Sequence, residues 1–330
     1  MSICLSNLTA DQILRTLRKR GTQLDTASAA TISEFEPDAE VASEIAAEFG
    51  IASLEQPEVL VSRQQDRRSN GELVTHLWKE VPPENSFYHL EEGIYLPTPC
   101  FCLLQQAREL HFINLCQMLG YYLGTEQIKQ VTKDGILSIT LPPLVTEEEL
   151  WLYLEGAKGM KGVTPLRRAL QYTCAGAASP QETNLQLILT LPSAYYGYGL
   201  KPPIMNYEIP LSPAARLLYD HKSCRIDLYW KEANMGLEYQ GEDHGEQLGE
   251  DYARFFALNV EGKNVLYLAK EQLEDANQMN YVAHRVAAAI GANVDGPRWP
   301  EKQHTERLIN ILTGKQVPQK GERRALKRHH

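Results

Sequence analysis

The stretch from Arg225 to His244, RIDLYWKEANMGLEYQGEDH, constrains this chain most. It reads as two short strands joined by a tight connection. In Cys224 to Trp230, the apolar Ile226, Leu228 and Trp230 alternate with Arg225, Asp227 and Tyr229. In Gly236 to Gln240, Leu237 and Tyr239 alternate with Glu238 and Gln240. Alternate residues of a strand share a face. With Ile226, Leu228, Leu237 and Tyr239 turned to a core, Asp227, Glu238 and Gln240 fall on the opposite face. The connection from Lys231 to Met235 makes the strands neighbours, so Asp227 and Glu238 can stand side by side. Carboxylates that close repel each other. A hard divalent cation is the natural partner, and Mg²⁺ often uses one or two carboxylates plus a substrate phosphate. A solvated hairpin with an ordinary acidic face accounts for the same residues.

The 330 residues suffice for two domains or one large elaborated one. Hydrophobic residues make up 43% and charged residues 23%, ordinary values for a globular protein, and no apolar run is long enough to span a bilayer. The start, MSICLSNLTADQ, lacks the basic and apolar segments of a secretory signal. Cys4, Cys100, Cys102, Cys116, Cys174 and Cys224 are scattered without a CxxC pair. Reduced thiols and a cytoplasmic location are expected. The formal charge of −9 is uneven: residues 1–150 carry 11 Lys/Arg against 22 Asp/Glu, and residues 151–330 carry 22 against 20. Phosphate contact needs positive charge, so the C-terminal half is the better candidate for meeting nucleic acid. The acidic front half is a candidate surface for a protein partner.

Along the chain, residues 1–56 read as a helical segment, with Ile13, Leu14 and Leu17 on one apolar stripe and Val41, Ala42, Ile45 and Phe49 on another. Residues 57–160 read as an α+β domain. Its short strands run from Val59 to Leu96, two helices cover Cys100–Ala107 and Phe112–Leu123, and a short linker-like element holds Ile136 to Thr140. Thr146 opens a further helix. His76 and His89 are isolated and read as structural. Residues 161–178 read as a linker helix stopped by Gly176. Their glycines match neither GxxxxGK[ST] nor GxGxxG, which excludes a phosphate loop. Ser179-Pro180-Gln181-Glu182 is a helix start, with Ser as N-cap, Pro in the first turn and Glu three residues after the Ser. A capping glutamate needs no catalytic role. Strands follow at Met205–Leu211 and 264–268, with helices at Gln247–Val260 and near Met279–Ile290. Asp251 and Arg254 sit three apart, within pairing reach. Residues 293–330 read as a basic, flexible tail.

From residue 179 the order is helix with Glu, strand, strand with Asp, strand with Glu-x-Gln, helix, strand, helix. This order resembles the PD-(D/E)XK, or restriction-endonuclease-like, superfamily. It is similar in particular to endonuclease domains related to very-short-patch-repair enzymes. Their third strand carries Glu-x-Asp-Gly-x-x-His, followed by a helix with Asp-x-x-Arg. Here the strand reads Glu238-Tyr239-Gln240-Gly241-Glu242-Asp243-His244, and the helix supplies Asp251 and Arg254. The resemblance covers residues 179–292. The front half resembles uncharacterised actinobacterial proteins grouped with type IV antitoxin-like regulators, and this second resemblance implies no chemistry.

The first resemblance implies an αβββαβ core with a mixed sheet, preceded by the α+β N-terminal region. It implies Mg²⁺ (or Mn²⁺) on Asp227, Glu238 and the Tyr239 carbonyl, with Glu182 assisting from its helix. It also implies His244 as a proton carrier and Arg254, with Arg225, on phosphate. Gln240 stands where the superfamily has Lys, or Asp in the closer relatives, and Gln cannot act as a base. The expected function is metal-dependent hydrolysis of DNA. The alternative is a weak or inactive nuclease-fold regulator that binds DNA or a protein partner.

Overall fold

The computed structural model describes residues 2–27, 32–51, 56–67, 71–132, 135–240, 248–293 and 299–317. Among them the chain is mixed α/β, with twelve helices and four sheets. It divides into two units, Met1–Leu115 with Gln127–Ala169, and Cys116–Glu126 with Leu170–His330.

The first unit begins with β1 (Ile3–Cys4), α1 (Asn7–Arg20), α2 (Ala39–Glu48), β2 (Glu58–Val61), β3 (Val74–Leu77), β4 (Phe87–Glu91), β5 (Ile94–Pro97) and α3 (Pro99–Glu109). After α4 (Phe112–Leu123) come β6 (Glu126–Thr132), β7 (Gly135–Leu141), α5 (Glu147–Gly156) and α6 (Val163–Leu170). β1, β5 and β4 form one sheet, and β2 pairs with β3 in parallel. Edge-on aromatic contacts fill the core, with Phe101 4.8 Å from Trp78 and 5.2 Å from Phe87. Thr146 and Glu149 close a capping box at the start of α5.

Three expectations change here. Residues 1–56, expected as a separate segment, share a unit with residues 57–115 and 127–160, in which β1 pairs in parallel with β5, while residues 116–126 fall in the other unit. A two-residue strand has too little pattern to read, and its partner lies some ninety positions away. Residues 136–140, expected as a linker, lie in β7, paired with β6. α6 ends at Leu170 rather than at Gly176. The physical cause is Gln186, whose side chain donates to the Tyr172 carbonyl and accepts from the Cys174 N–H, holding both outside a helix.

The second unit continues with α7 (Pro180–Thr190), β8 (Ile204–Pro210), α8 (Pro213–Arg216), β9 (Ser223–Trp230), β10 (Met235–Gln240), α9 (Leu248–Val260), β11 (Asn264–Ala269), α10 (Lys270–Leu273), α11 (Ala276–Ile290) and α12 (Lys302–Leu312). Its sheet has the order β11-β10-β9-β8, with β10 and β11 parallel and the other pairs antiparallel. α7 lies against β9 and α11 against β10. α12 is a correction, since residues 293–330 were expected to be flexible. Leu308, Ile309, Ile311 and Leu312 are buried, and the helix packs on α7 and α11. These apolar residues form a helical stripe that the surrounding basic composition obscured. Residues 318–330 lie outside the described residues.

Candidate functional site

β9 and β10 form the expected hairpin. Met235 faces Trp230 and Leu237 faces Leu228, and just past these pairs the Asp227 charge acts on Glu238. The expected strict alternation does not hold along β9. Ile226 pairs with Tyr207 of β8, yet the Tyr207 ring stacks on Tyr229 at 5.0 Å. A Cβ on Gly236, the partner of Tyr229, would come within 2.8 Å of Ile226 Cγ2. Ile226 and Tyr229 therefore share one face, in a cluster with Ala257 and Leu258 of α9. The β8–β9 ladder nevertheless holds one register on both sides of Asp227. The ladder to β8 steps over the same level, where Asn206 holds a left-handed backbone at φ +48°. Asn is among the few residues that tolerate that region.

Around Asp227 three carboxylates converge. Glu182 is 7% exposed and Glu238 is 3% exposed, while Asp227 is partly buried. Glu182 begins from its helix-start role: the Ser179 hydroxyl accepts from its N–H. Its carboxylate also works beyond capping. Oε2 accepts from the Ala178 N–H at 2.8 Å and from Asn206 Nδ2 at 2.7 Å. Asp227 Oδ2 accepts from the Tyr239 N–H at 2.8 Å. Glu238 receives Arg254, whose Nη2 donates to both carboxylate oxygens at 2.8 Å. Arg254 also donates to the Arg225 carbonyl.

Burial, then the charge of Asp227, pushes the Glu182 carboxyl up to about 7. Burial raises Asp227, against the pull of the Tyr239 N–H and Arg254. Burial and Asp227 hold Glu238 well above the usual carboxylate range, although Arg254 opposes them. The common cause is desolvation of the charged form, reinforced by like charge.

The expected residues Glu182, Asp227, Glu238 and Arg254 thus meet, and Tyr239 contributes its N–H. The Arg254 guanidinium turns to Glu238. Arg225 joins through its carbonyl while its residue is exposed. Gln240 ends β10 opposite Ala269 and is half-buried. His244 lies outside the described residues. Among the described residues, no three His, Cys, Asp or Glu side chains stand together as a metal-holding group.

Two neighbours escaped the sequence reading. Asn206 ties Glu182 to the Gly176 carbonyl through its amide. Tyr267, the strand neighbour of Glu238 on β11, has its hydroxyl pushed up to about 12 by burial and by Glu238. That hydroxyl is buried with no hydrogen-bond partner among the described residues. A polar side chain inside an apolar strand was the signal available for each.

No family model, curated protein or solved structure matches the chain. Among the described residues, no helix is long and apolar enough to cross a membrane.

Proposed function

We propose that residues 179–292 form a restriction-endonuclease-like domain that hydrolyses DNA phosphodiester bonds. The observation that carries this reading is the burial of Glu182, Asp227 and Glu238 together, with one guanidinium, that of Arg254, acting on Asp227 and Glu238. Three ionised carboxylates with one counter-charge are short of positive charge, and protons or a cation must supply it. The donors are all oxygen, which suits a hard ion such as Mg²⁺ or Mn²⁺. Asp227 and Glu238, with the Tyr239 carbonyl, would hold it. Such an ion, when bound, stabilises charge on a scissile phosphate and makes a nucleophile available near neutral pH.

The chain's own groups take the remaining roles. Glu182, with its carboxyl raised to about 7, can hold or give up a proton near neutral pH. Gln240 would orient the attacking water, since an amide both donates and accepts. Arg254 would hold phosphate, exchanging one anionic partner for another. His244 would carry a proton.

A second reading has its own support. Arg254 already engages both oxygens of Glu238, and Gln240 replaces the base expected there. Both favour a nuclease-fold protein that binds DNA or a protein partner without cutting.

Cleavage of plasmid and single-stranded DNA with Mg²⁺ or Mn²⁺ tests the two readings, in wild type, Asp227→Ala and Gln240→Lys. Cleavage lost in Asp227→Ala supports the nuclease. A silent wild type with an active Gln240→Lys supports the binder. Silence in all three, without metal uptake, rejects hydrolysis of these substrates.

A further inference from the structure

The β11-β10-β9-β8 sheet of the second unit ends in two unlike edges. A free edge offers unpaired N–H and C=O groups to any other strand, and native chains guard it with charge, proline or irregular backbone. The β8 edge is guarded in this way. Its residues include Glu208 and Pro210, and Asn206 breaks the extended backbone at φ +48°. The β11 edge is not. Asn264-Val265-Leu266-Tyr267-Leu268-Ala269 holds no charged residue and no proline, and it pairs with β10 without a break from Asn264 to Ala269. Among the described residues, no strand pairs with its other side.

The direction of the free groups follows from Ala269. Its N–H donates to Gln272 Oε1 at 2.8 Å instead of across to β10. Backbone groups alternate between the two sides of a strand, so the N–H and C=O of Val265 and Tyr267 also point to the open edge. Their side chains lie toward α9. Val265 packs on the cluster of Ala257 and Leu258, and the Phe255 ring stands edge-on to Tyr267 at 5.6 Å. From Phe255 the apolar surface continues over the outer face of α9. Tyr252 is 57% exposed, Phe255 37%, Phe256 53% and Val260 48%. Tyr252, Phe256 and Val260 follow at every fourth residue and so form one stripe. Arg254, the sole charge between Tyr252 and Val260, is turned to Glu238. With about 200 Å² to an aromatic side chain, the four expose roughly 350 Å². Single apolar residues are ordinary at a surface, but a contiguous stripe beside an unguarded edge marks an interface.

We infer that this face binds a second copy of the chain, β11 pairing antiparallel with β11 about a two-fold axis. The edge is complementary to itself. With the axis at Leu266, Val265 of each copy faces Tyr267 of the other, and each such pair exchanges both of its N–H···O bonds. The two sheets then continue into one another, and the α9 helices of both copies come to the same side of the joined sheet. The four side chains supply nearly half of the about 800 Å² per partner of a standard interface, and the strand edge adds to it. Nucleic acid does not suit the stripe, because Glu250, Asp251 and Glu261 flank it and phosphate contact needs positive charge. The pairing uses none of the three carboxylates and stands apart from the nuclease reading.

Sedimentation equilibrium of the full chain, from about 1 to about 100 µM, tests the inference. The mass should rise to twice the 37.3 kDa of one chain. Phe256→Glu changes an exposed position, and Val265→Pro removes an open N–H while leaving the bonds to β10. Each should raise the dimer dissociation constant at least about tenfold. Leu152→Glu, at a 74% exposed position of the first unit, should leave it unchanged. In hydrogen exchange, the Val265 and Tyr267 amides should exchange at least about tenfold more slowly at the highest concentration than at the lowest. Circular dichroism checks that the variants fold; if Val265→Pro does not, Phe256→Glu and the exchange rates decide. The inference is overturned if the chain stays monomeric, if folded Phe256→Glu dimerises like wild type, if Leu152→Glu weakens the dimer as much, or if the two amides exchange no more slowly in the dimer.

Discussion

Both units bury polar groups that the fold does not fully match, but of different kinds. In the second unit they include charged groups: Glu182, Asp227 and Glu238 lie together, and one guanidinium acts on the latter two. Among those of the first are the neutral Asn7 Oδ1, Gln105 Nε2 and Trp78 Nε1. A buried carboxyl can lower its cost by keeping its proton, so its penalty depends on pH and on cations. A neutral amide or indole has no such outlet, and only a ligand or water can relieve it. The carboxylate cluster is therefore the part of this protein whose burial cost changes with pH, and the neutral wall of Asn7, Gln105 and Trp78 is the part whose cost does not.

The largest test removes the shared guanidinium. Arg254→Met should destabilise the protein by about 3 kcal/mol in urea denaturation, because Glu238 is left buried without its partner. Adding Glu238→Gln should recover roughly half of that loss, since the pair acts as a unit. An additive double variant would break the comparison at its charged end.

Next comes pH. The folded Glu182 titrates at about 7, above the ordinary 4.5, so the native state keeps a proton that the unfolded chain has lost. Stability from this group is full below about pH 4.5 and falls as pH rises to about 7. Glu182→Gln should flatten that fall and leave the variant up to about 3 kcal/mol more stable than wild type at pH 8. Denaturation midpoints at pH 5, 6.5 and 8 read it directly.

The cation effect should have the opposite pH trend. Mn²⁺ added at pH 8 should stabilise wild type by about 2 kcal/mol and do little at pH 5, where the carboxyls hold protons. Chelation should reverse the gain, and Asp227→Ala should abolish it. Equal stabilisation at both pH values would place the ion elsewhere.

Smaller still, Asn206→Gly keeps the left-handed backbone but removes the donor to Glu182 and to Gly176, at a cost of about 1 kcal/mol. The smallest change concerns the neutral wall. The stability change on Trp78→Phe should agree within about 0.5 kcal/mol between pH 5 and pH 8, because neither the indole nor the Arg108 guanidinium over it changes charge in that range. A strong pH dependence there would erase the distinction between the two regions.

By itself the sequence determined the local elements that carry the site. Polar and apolar alternation placed Asp227 and Glu238 on neighbouring strands, and Ser179-Pro180-Gln181-Glu182 set the start of α7 with its glutamate inward. These signals are readable because strand period, turn length and capping act over a few residues. The tertiary structure decided the rest. It turned Arg254 to Glu238 and brought Asn206 to Glu182 across 24 positions. It also joined Asn7 to Gln105 across 98 positions and packed α12 against α7. Each outcome is a hydrogen bond or burial between distant segments. Such contacts form where the folded backbone brings partners together out of water, and a periodic reading of the chain holds no record of that encounter.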